Sequence, residues 1–139
     1  PSKVVVVTDH YVPAHDEEDG VAETVRSVFA SDYPRPLLRV LVVADNCTDR
    51  TAEVARAGGA EVVERSDPAR RGKGYALAFG LDALREAPPA VVVIVDADCV
   101  VGPGSLGRLV ERAHARQRPV QAAYRMTAPA GAGADRRVA

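Results

Sequence analysis

The sequence predicts an α/β fold in which a mostly parallel central sheet carries helices on both faces. Three runs of mainly branched apolar residues, at positions 4–7, 37–44 and 91–95, have the composition of strands that are buried on both faces. Segments with apolar residues at helical spacing separate these runs, so strands and helices alternate along the chain. Two of the runs stop at aspartates, Asp45 and Asp96. Open sheets of this kind bind ligands beyond the carboxyl ends of their strands, so a site is expected there.

The composition restricts the class of partner. The chain of 139 residues has a net charge of −1, 4% aromatic residues and no tryptophan. This balance argues against a nucleic-acid partner and against an aromatic-lined sugar groove. Two cysteines, Cys47 and Cys99, are too few for a disulfide framework. No apolar run approaches the roughly 20 residues of a membrane span, and no signal peptide is recognisable. A single domain with reduced thiols, located in the cytoplasm, is therefore expected.

The first half of the chain predicts two strands and two helices. Residues 4–7 form the first strand, and residues 17–30 form a helix with acids in its first turn. Prolines at positions 34 and 36 end this helix before the strand at 37–44. Thr48 or Asp49 is the candidate cap of a short helix that ends at Ala57, where Gly58 and Gly59 follow.

The second half continues the alternation. A short strand at 60–64 and a polar basic loop at 66–74 precede a helix at 75–86, whose apolar residues are Leu77, Leu81 and Leu84. The run at 91–95 has the pattern of a central strand. Pro103 is a plausible first-turn residue of a helix that runs to about residue 116. Residues 120–124 are expected to form a last strand, and residues 127–139, rich in Ala, Gly, Pro and Arg, a flexible tail or broken connection.

Aspartates end three of the predicted strands. Asp9, Asp45 and Asp96 lie at or near the carboxyl ends of separate strands, and Asp98 follows one residue later. Taken alone, an Asp-x-Asp pair after a strand is more simply explained by turn formation than by metal binding. If the strands are neighbours, however, several like charges meet, which is unfavourable unless a cation or hydrogen-bond donors lie between them. This convergence favours a site for a nucleotide with a divalent metal.

The loop Gly72, Lys73, Gly74 fits the same hypothesis. Glycines allow backbone N–H groups to approach an anion, and Lys73 adds a positive charge. An ordinary exposed loop remains the alternative. The spacing is not that of a Walker loop, and no dinucleotide-binding glycine pattern follows the first strand.

Four segments occur in the order seen in one enzyme family. They are VPAHDEE at 12–18, VVADNCTDRT at 42–51, RGKGYAL at 71–77 and DAD at 96–98. Together they resemble the nucleotide-binding half of family 2 glycosyltransferases, whose fold is the Rossmann-like GT-A fold. The resemblance covers roughly residues 12 to 125, and it implies a nucleotide-sugar-binding domain at residues 1–126.

The resemblance also implies roles for individual residues. Pro13, Ala14, His15 and Glu17 would line the nucleotide pocket. Asp45 would accept a hydrogen bond from the base, Lys73 would lie near the phosphates, and Asp96 would hold the ribose side. Asp98 would bind Mn²⁺ or Mg²⁺ that bridges the diphosphate. His10 and His114 have no partner at ligand spacing, and no role is predicted for them or for either cysteine.

The function implied is a metal-dependent, inverting transfer of a sugar from a UDP- or GDP-linked donor to a hydroxyl acceptor. The alternatives are a nucleotidyltransferase of similar fold, whose glycine-rich signature is absent, and a non-catalytic nucleotide-binding or phospho-acceptor domain. No residue is a convincing general base. The family's acceptor half would begin after residue 126, so a fragment of a longer enzyme is expected, with membrane association only through other segments and self-association through an open sheet edge.

One segment departs from the family pattern. Residues 8–11 stand between the first valine run and the Pro-Ala turn at 13 and 14. Either the first strand is longer, with Tyr11 and Val12 its last residues, or the segment alters the pocket entrance. The two alternatives give different positions for Asp9 and His15.

Overall fold

The computed structural model describes residues 4–11, 18–123 and 125–126, with only the backbone for residues 8–11 and 18. Within this part of the chain, one parallel sheet has the strands β1 (Val4–Tyr11), β2 (Leu38–Asp45), β3 (Glu61–Arg65) and β4 (Val91–Asp96). Their order across the sheet is β3-β2-β1-β4. The predicted α/β class is confirmed. Of the two alternatives for residues 8–11, the structure supports a longer first strand, because β1 continues to Tyr11.

Helices connect the strands and cover both faces of the sheet. They are α1 (Glu18–Phe29), α2 (Thr51–Ala57), α3 (Lys73–Ala83) and α4 (Ser105–Arg116), with a 3-10 turn at Arg35–Leu37. Helices α1, α2 and α4 enclose one apolar cluster with β1 and β2, and α3 encloses a second on the opposite face. None of the helices in the described residues is long and apolar enough to span a membrane.

The central strands are β1 and β2, and the prediction that the run at 91–95 is central was wrong for the described sheet. Residues 4–7 are at most 1% exposed. In β4, by contrast, Val92 is 37% and Ile94 49% exposed, although Val93 packs into the α1 and α4 cluster. Among the described residues β4 pairs only with β1, and the apolar cluster under α3 contains none of its residues. A run of branched residues indicates a strand, but its position in the sheet depends on distant segments.

Helix α3 packs partly through small residues that the sequence analysis did not single out. Ala76, Gly80 and, just after the helix, Leu84 are buried. Leu77 packs against the same apolar cluster as predicted, whereas Leu81 is 43% exposed. A Cβ added at Gly80 would lie 2.6 Å from Cγ2 of Val43, so glycine permits α3 to approach the sheet this closely. The helix also begins at Lys73 rather than at residue 75, with Gly72 as its N-cap. Lys73 and Gly74 therefore belong to the first helical turn and not to the loop.

Other boundaries also differ from the predictions. The N-cap of α4 is Gly104, at φ 69°, so Pro103 precedes the helix instead of lying in its first turn. Residues 120–123 form no strand, and Tyr124 lies outside the described residues. The N-cap position of α2 is Arg50, although an Asp49 carboxylate oxygen accepts a hydrogen bond from the Thr51 N–H at 3.0 Å. The segment 127–139 lies outside the described residues.

Candidate functional site

The predicted acids lie close together at the carboxyl edge of the sheet, which is the side where its parallel strands end. They do so because their strands are neighbours. In the parallel register, Asp9 of β1 lies opposite Asp96 of β4, and Tyr11 lies opposite Asp45 of β2. The three strands therefore present their carboxyl ends to the same side, with β1 between the other two. The predicted residues Pro13, Ala14, His15 and Glu17 lie outside the described residues.

Asp45 is fully buried and its two carboxylate oxygens differ. Oδ1 accepts hydrogen bonds from Nη1 of Arg65 at 2.6 Å and from Nδ2 of Asn46 at 2.9 Å. Oδ2 is buried and has no hydrogen-bond partner among the described residues. Burying a polar atom without a partner is costly, so Oδ2 is an acceptor that a ligand can satisfy.

Asn46 joins the end of β2 to the loop after β3. Its φ is 55°, a left-handed conformation that asparagine tolerates. Its backbone N–H donates to the Arg65 carbonyl at 2.7 Å, and its side-chain oxygen accepts from the Asp67 N–H at 2.8 Å. Sequence reasoning missed Asn46, Arg65 and Asp67 as site residues. The available signal was an arginine at the end of the strand next to the one that ends in Asp45.

Lys73 lies at the opposite end of the candidate site from Asp45, beside Asp96. It begins α3, and its ammonium group forms an ion pair with Oδ1 of Asp96. Both side chains are about half exposed. The preceding Gly72 has a φ of 120°, which favours glycine at the entry to this helix. The structure thus brings together Lys73 and Asp96, two of the predicted site residues.

Asp96, Asp98 and Cys99 form a group that fits a divalent cation. One ligand atom from each lies within 4.8 Å of the others. Burial raises the pKa of the Cys99 thiol, and the negative charges of Asp98 and Asp96 raise it further by smaller amounts. A thiol is a soft ligand that suits hard cations poorly, whereas carboxylate oxygens suit Mg²⁺ and Mn²⁺. The donor set favours a hard cation held by the two aspartates, with Asp98 the more available because Asp96 pairs with Lys73.

Helix α1 holds the turn that carries these acids. The buried hydroxyl of Thr24 lies 2.8 Å from the carbonyl oxygens of both Ala97 and Cys99. The Val101 N–H donates to the Ser27 hydroxyl at 2.9 Å. Sequence reasoning assigned no role to Thr24 or Ser27, because only the tertiary structure brings α1 beneath the turn.

Comparison with known proteins gives a consistent family. Residues 10–129 match glycosyl transferase family 2. The low-salt glycan biosynthesis hexosyltransferase Agl6 of Haloferax volcanii is 35% identical over 88 residues, covering 63% of this chain and 20% of that protein. The probable glycosyltransferase YdaM of Bacillus subtilis is 30% identical over 93 residues, covering 63% of this chain and 21% of that protein.

Solved structures share the fold. A mannosyltransferase from Pyrobaculum calidifontis, PcManGT, in complex with GDP-Man and Mn²⁺, aligns with a TM-score of 0.63 and 30% identity over 81% of this chain and 32% of that chain. Glucosyl-3-phosphoglycerate synthase from M. tuberculosis aligns with a TM-score of 0.53 and 28% identity over 71% of this chain and 35% of that chain. The chain thus spans 20% to 35% of the length of these proteins.

Proposed function

The chain belongs to glycosyl transferase family 2, and we propose that it binds a nucleoside-diphosphate sugar at the carboxyl edge of its sheet for transfer to a hydroxyl acceptor. The observation that carries this proposal is the buried Oδ2 of Asp45, which has no hydrogen-bond partner in the described part of the chain and lies on the same edge as Asp96 and Asp98. At one end of this carboxyl edge, Asp45 thus offers a hydrogen-bond acceptor for a base. At the other end, Asp96 and Asp98 offer oxygen ligands for a metal.

The proposed base is uracil or guanine. A carboxylate accepts hydrogen bonds, and both bases carry a ring N–H, whereas the corresponding ring nitrogens of cytosine and adenine are themselves acceptors. The solved relatives support this choice, because PcManGT is described with GDP-Man and glucosyl-3-phosphoglycerate synthase with UDP. A base without the N–H leaves Oδ2 unsatisfied, which is the larger penalty.

The spacing of the edge suits a nucleoside diphosphate. Asp45 and Asp96 are separated by two strand spacings, about 10 Å, and Asp45 lies two residues further along the register. In this proposal Asp96 holds the ribose, and Lys73 lies near the phosphates. Pro13, Ala14, His15 and Glu17 line the pocket by family resemblance, and residues 1–126 form the nucleotide-binding unit.

Asp98 would hold Mn²⁺ or Mg²⁺, with Asp96 beside it. Such a cation, when bound, neutralises the charge that develops on the departing diphosphate. The proposed reaction is a single displacement with inversion: the acceptor oxygen bonds to the anomeric carbon while the bond to the diphosphate breaks. The acceptor proton passes to a general base. We assign that base to none of the described residues.

Calorimetry with a nucleotide panel tests the proposal. UDP or GDP should bind the chain more tightly than CDP or ADP, and Mn²⁺ should strengthen the binding. Equal affinity for the four diphosphates would contradict it. Nucleoside-triphosphate binding with pyrophosphate release would favour a nucleotidyltransferase, and labelling by a small phosphodonor would favour a phospho-acceptor domain.

A further inference from the structure

Two arginine–carboxylate pairs join β2 to β3 on the face that carries α3, one at each end of the strands. At the amino end, Arg39 pairs with both oxygens of Glu61: Nε to Oε1 at 2.8 Å and Nη2 to Oε2 at 2.8 Å. At the carboxyl end, Arg65 bonds only Oδ1 of Asp45. The fork of an arginine can engage both oxygens of a carboxylate on the neighbouring strand, as Arg39 does while its Nη1 lies 3.4 Å from the Ala87 carbonyl oxygen. The pair at Asp45 leaves one oxygen unused.

Arg65 is itself held in place from several directions. Its side chain is 11% exposed, and its Nη2 lies 3.3 Å from Oδ2 of Asp67 in the following loop. Its guanidinium carbon lies 5.7 Å from the centroid of the Tyr75 ring on α3, within cation–π range. An arginine restrained in this way has one orientation to offer Asp45.

This restraint distinguishes the two oxygens of Asp45. The terminal torsion of an aspartate is soft and nearly two-fold, so an unrestrained carboxylate exchanges its oxygens easily. The donors from Arg65 and Asn46 both engage Oδ1. Oδ2 therefore stays turned away from Arg65, buried and without a partner among the described residues.

We infer that Arg65 is the positioning residue for base recognition: it occupies Oδ1 of Asp45 and leaves Oδ2 as an acceptor that selects a ring N–H. Arg65 acts through Asp45 and does not itself contact the base. The inference rests on the proposed function, which needs Asp45 to accept a hydrogen bond from the base but assigns nothing to Arg65.

UDP and CDP are the best probes, because their bases differ in the N–H that Oδ2 would accept. The ratio of their dissociation constants should be on the order of 100 for the unmutated chain. Arg65→Met should reduce this ratio by about tenfold. Arg39→Met is the matched control, since it removes the arginine of the other pair, and it should leave the ratio unchanged. If guanine is preferred, GDP and ADP replace the pair.

A double-mutant cycle separates positioning from general damage. If Arg65 acts through Asp45, Arg65→Met should change the ratio by less than about twofold when Asp45→Asn is already present. Circular dichroism checks that each variant is folded. Should Arg65→Met not fold, Arg65→Lys decides. Its single ammonium cannot reproduce the fork between Asp45 and Asp67, so the ratio should fall about threefold.

The outcomes distinguish this inference from the proposed function. An unchanged ratio in the folded Arg65 variant, with a ratio abolished by Asp45→Asn, overturns the inference and leaves the proposed function standing. An Arg65 effect that persists in the Asp45→Asn background also overturns it. If the unmutated chain does not prefer the base with the N–H, the proposed function fails and the inference fails with it.

Discussion

The two ends of the candidate site are built differently. At the end where we propose that the base binds (the base end), the Asp45 side chain is 0% exposed and paired with Arg65. At the end where we propose that the metal binds (the metal end), the Asp96 side chain is 55% exposed, and the backbone carbonyls of the turn after it contact the Thr24 hydroxyl. Asp45 ends a central strand with a neighbour on each side, whereas Asp96 ends the strand at the edge of the described sheet. The end proposed for the base is therefore buried and held by side-chain hydrogen bonds, whereas the acids at the end proposed for the metal are exposed to solvent.

The largest expected difference between the two ends is in stability. Asp45→Ala should lower the free energy of unfolding by about 3 kcal/mol, because it leaves Arg65 buried without its main partner. Asp98→Ala should leave the urea midpoint unchanged, because Asp98 is exposed. Glu61→Ala, which breaks the more exposed pair with Arg39, is the control and should cost less than about 1 kcal/mol. Equal losses in the Asp45 and Asp98 variants would remove the distinction.

The dependence of nucleotide binding on Mn²⁺ should show the opposite pattern, with the large effect at Asp98. Asp98→Ala should weaken Mn²⁺-dependent UDP or GDP binding by about 100-fold, because it removes a ligand and not merely a supporting group. The preference for UDP over CDP should survive in this variant, since the base end is untouched. Calorimetry with and without Mn²⁺ measures both effects. Asp82→Ala is the control, because it removes an exposed acid of α3 that pairs with Arg85. A full response to Mn²⁺ in the Asp98 variant would show that the metal lies elsewhere.

A smaller effect is expected from the support beneath the metal turn. Thr24→Val removes the hydroxyl that contacts the Ala97 and Cys99 carbonyls while keeping the shape of the side chain. Mn²⁺-dependent binding should weaken about fivefold, with no change in base preference. Thr51→Val is a matched control, because Thr51 is equally buried but its hydroxyl has no hydrogen-bond partner among the described residues. If both variants bind alike, Thr24 does not position the turn.

The smallest effect should come from Cys99. Its thiol lies with Asp96 and Asp98, but sulfur is a soft ligand that suits a hard cation such as Mn²⁺ less well than carboxylate oxygen. Cys99→Ser should change the Mn²⁺ affinity by less than about twofold, as titrated by electron paramagnetic resonance. A tenfold loss would instead identify Cys99 as a ligand.

Much of the fold follows from local patterns in the sequence. Runs of branched residues identified β1, β2 and β4, and the aspartates at 45 and 96 marked the strand ends where the candidate site lies. The spacing of apolar residues indicated α1 closely, and the predicted end of α4 near residue 116 agrees with the structure. Such patterns work because alternation, side-chain branching and turn chemistry act over a few neighbouring residues.

Only the tertiary structure decided which of these elements meet. The run at 91–95 is as apolar as the central strands, yet β4 lies at the edge of the described sheet, because strand order depends on how distant segments pack. Gly80 packs beside Leu77 and Leu84 although the sequence analysis did not single it out, because the helix approaches Val43 closely at this position. The pair of Arg65 with Asp45 spans 20 positions in sequence. Residue types indicate strands and turns, whereas the partner of a buried charge is set by strand register, which no local pattern specifies.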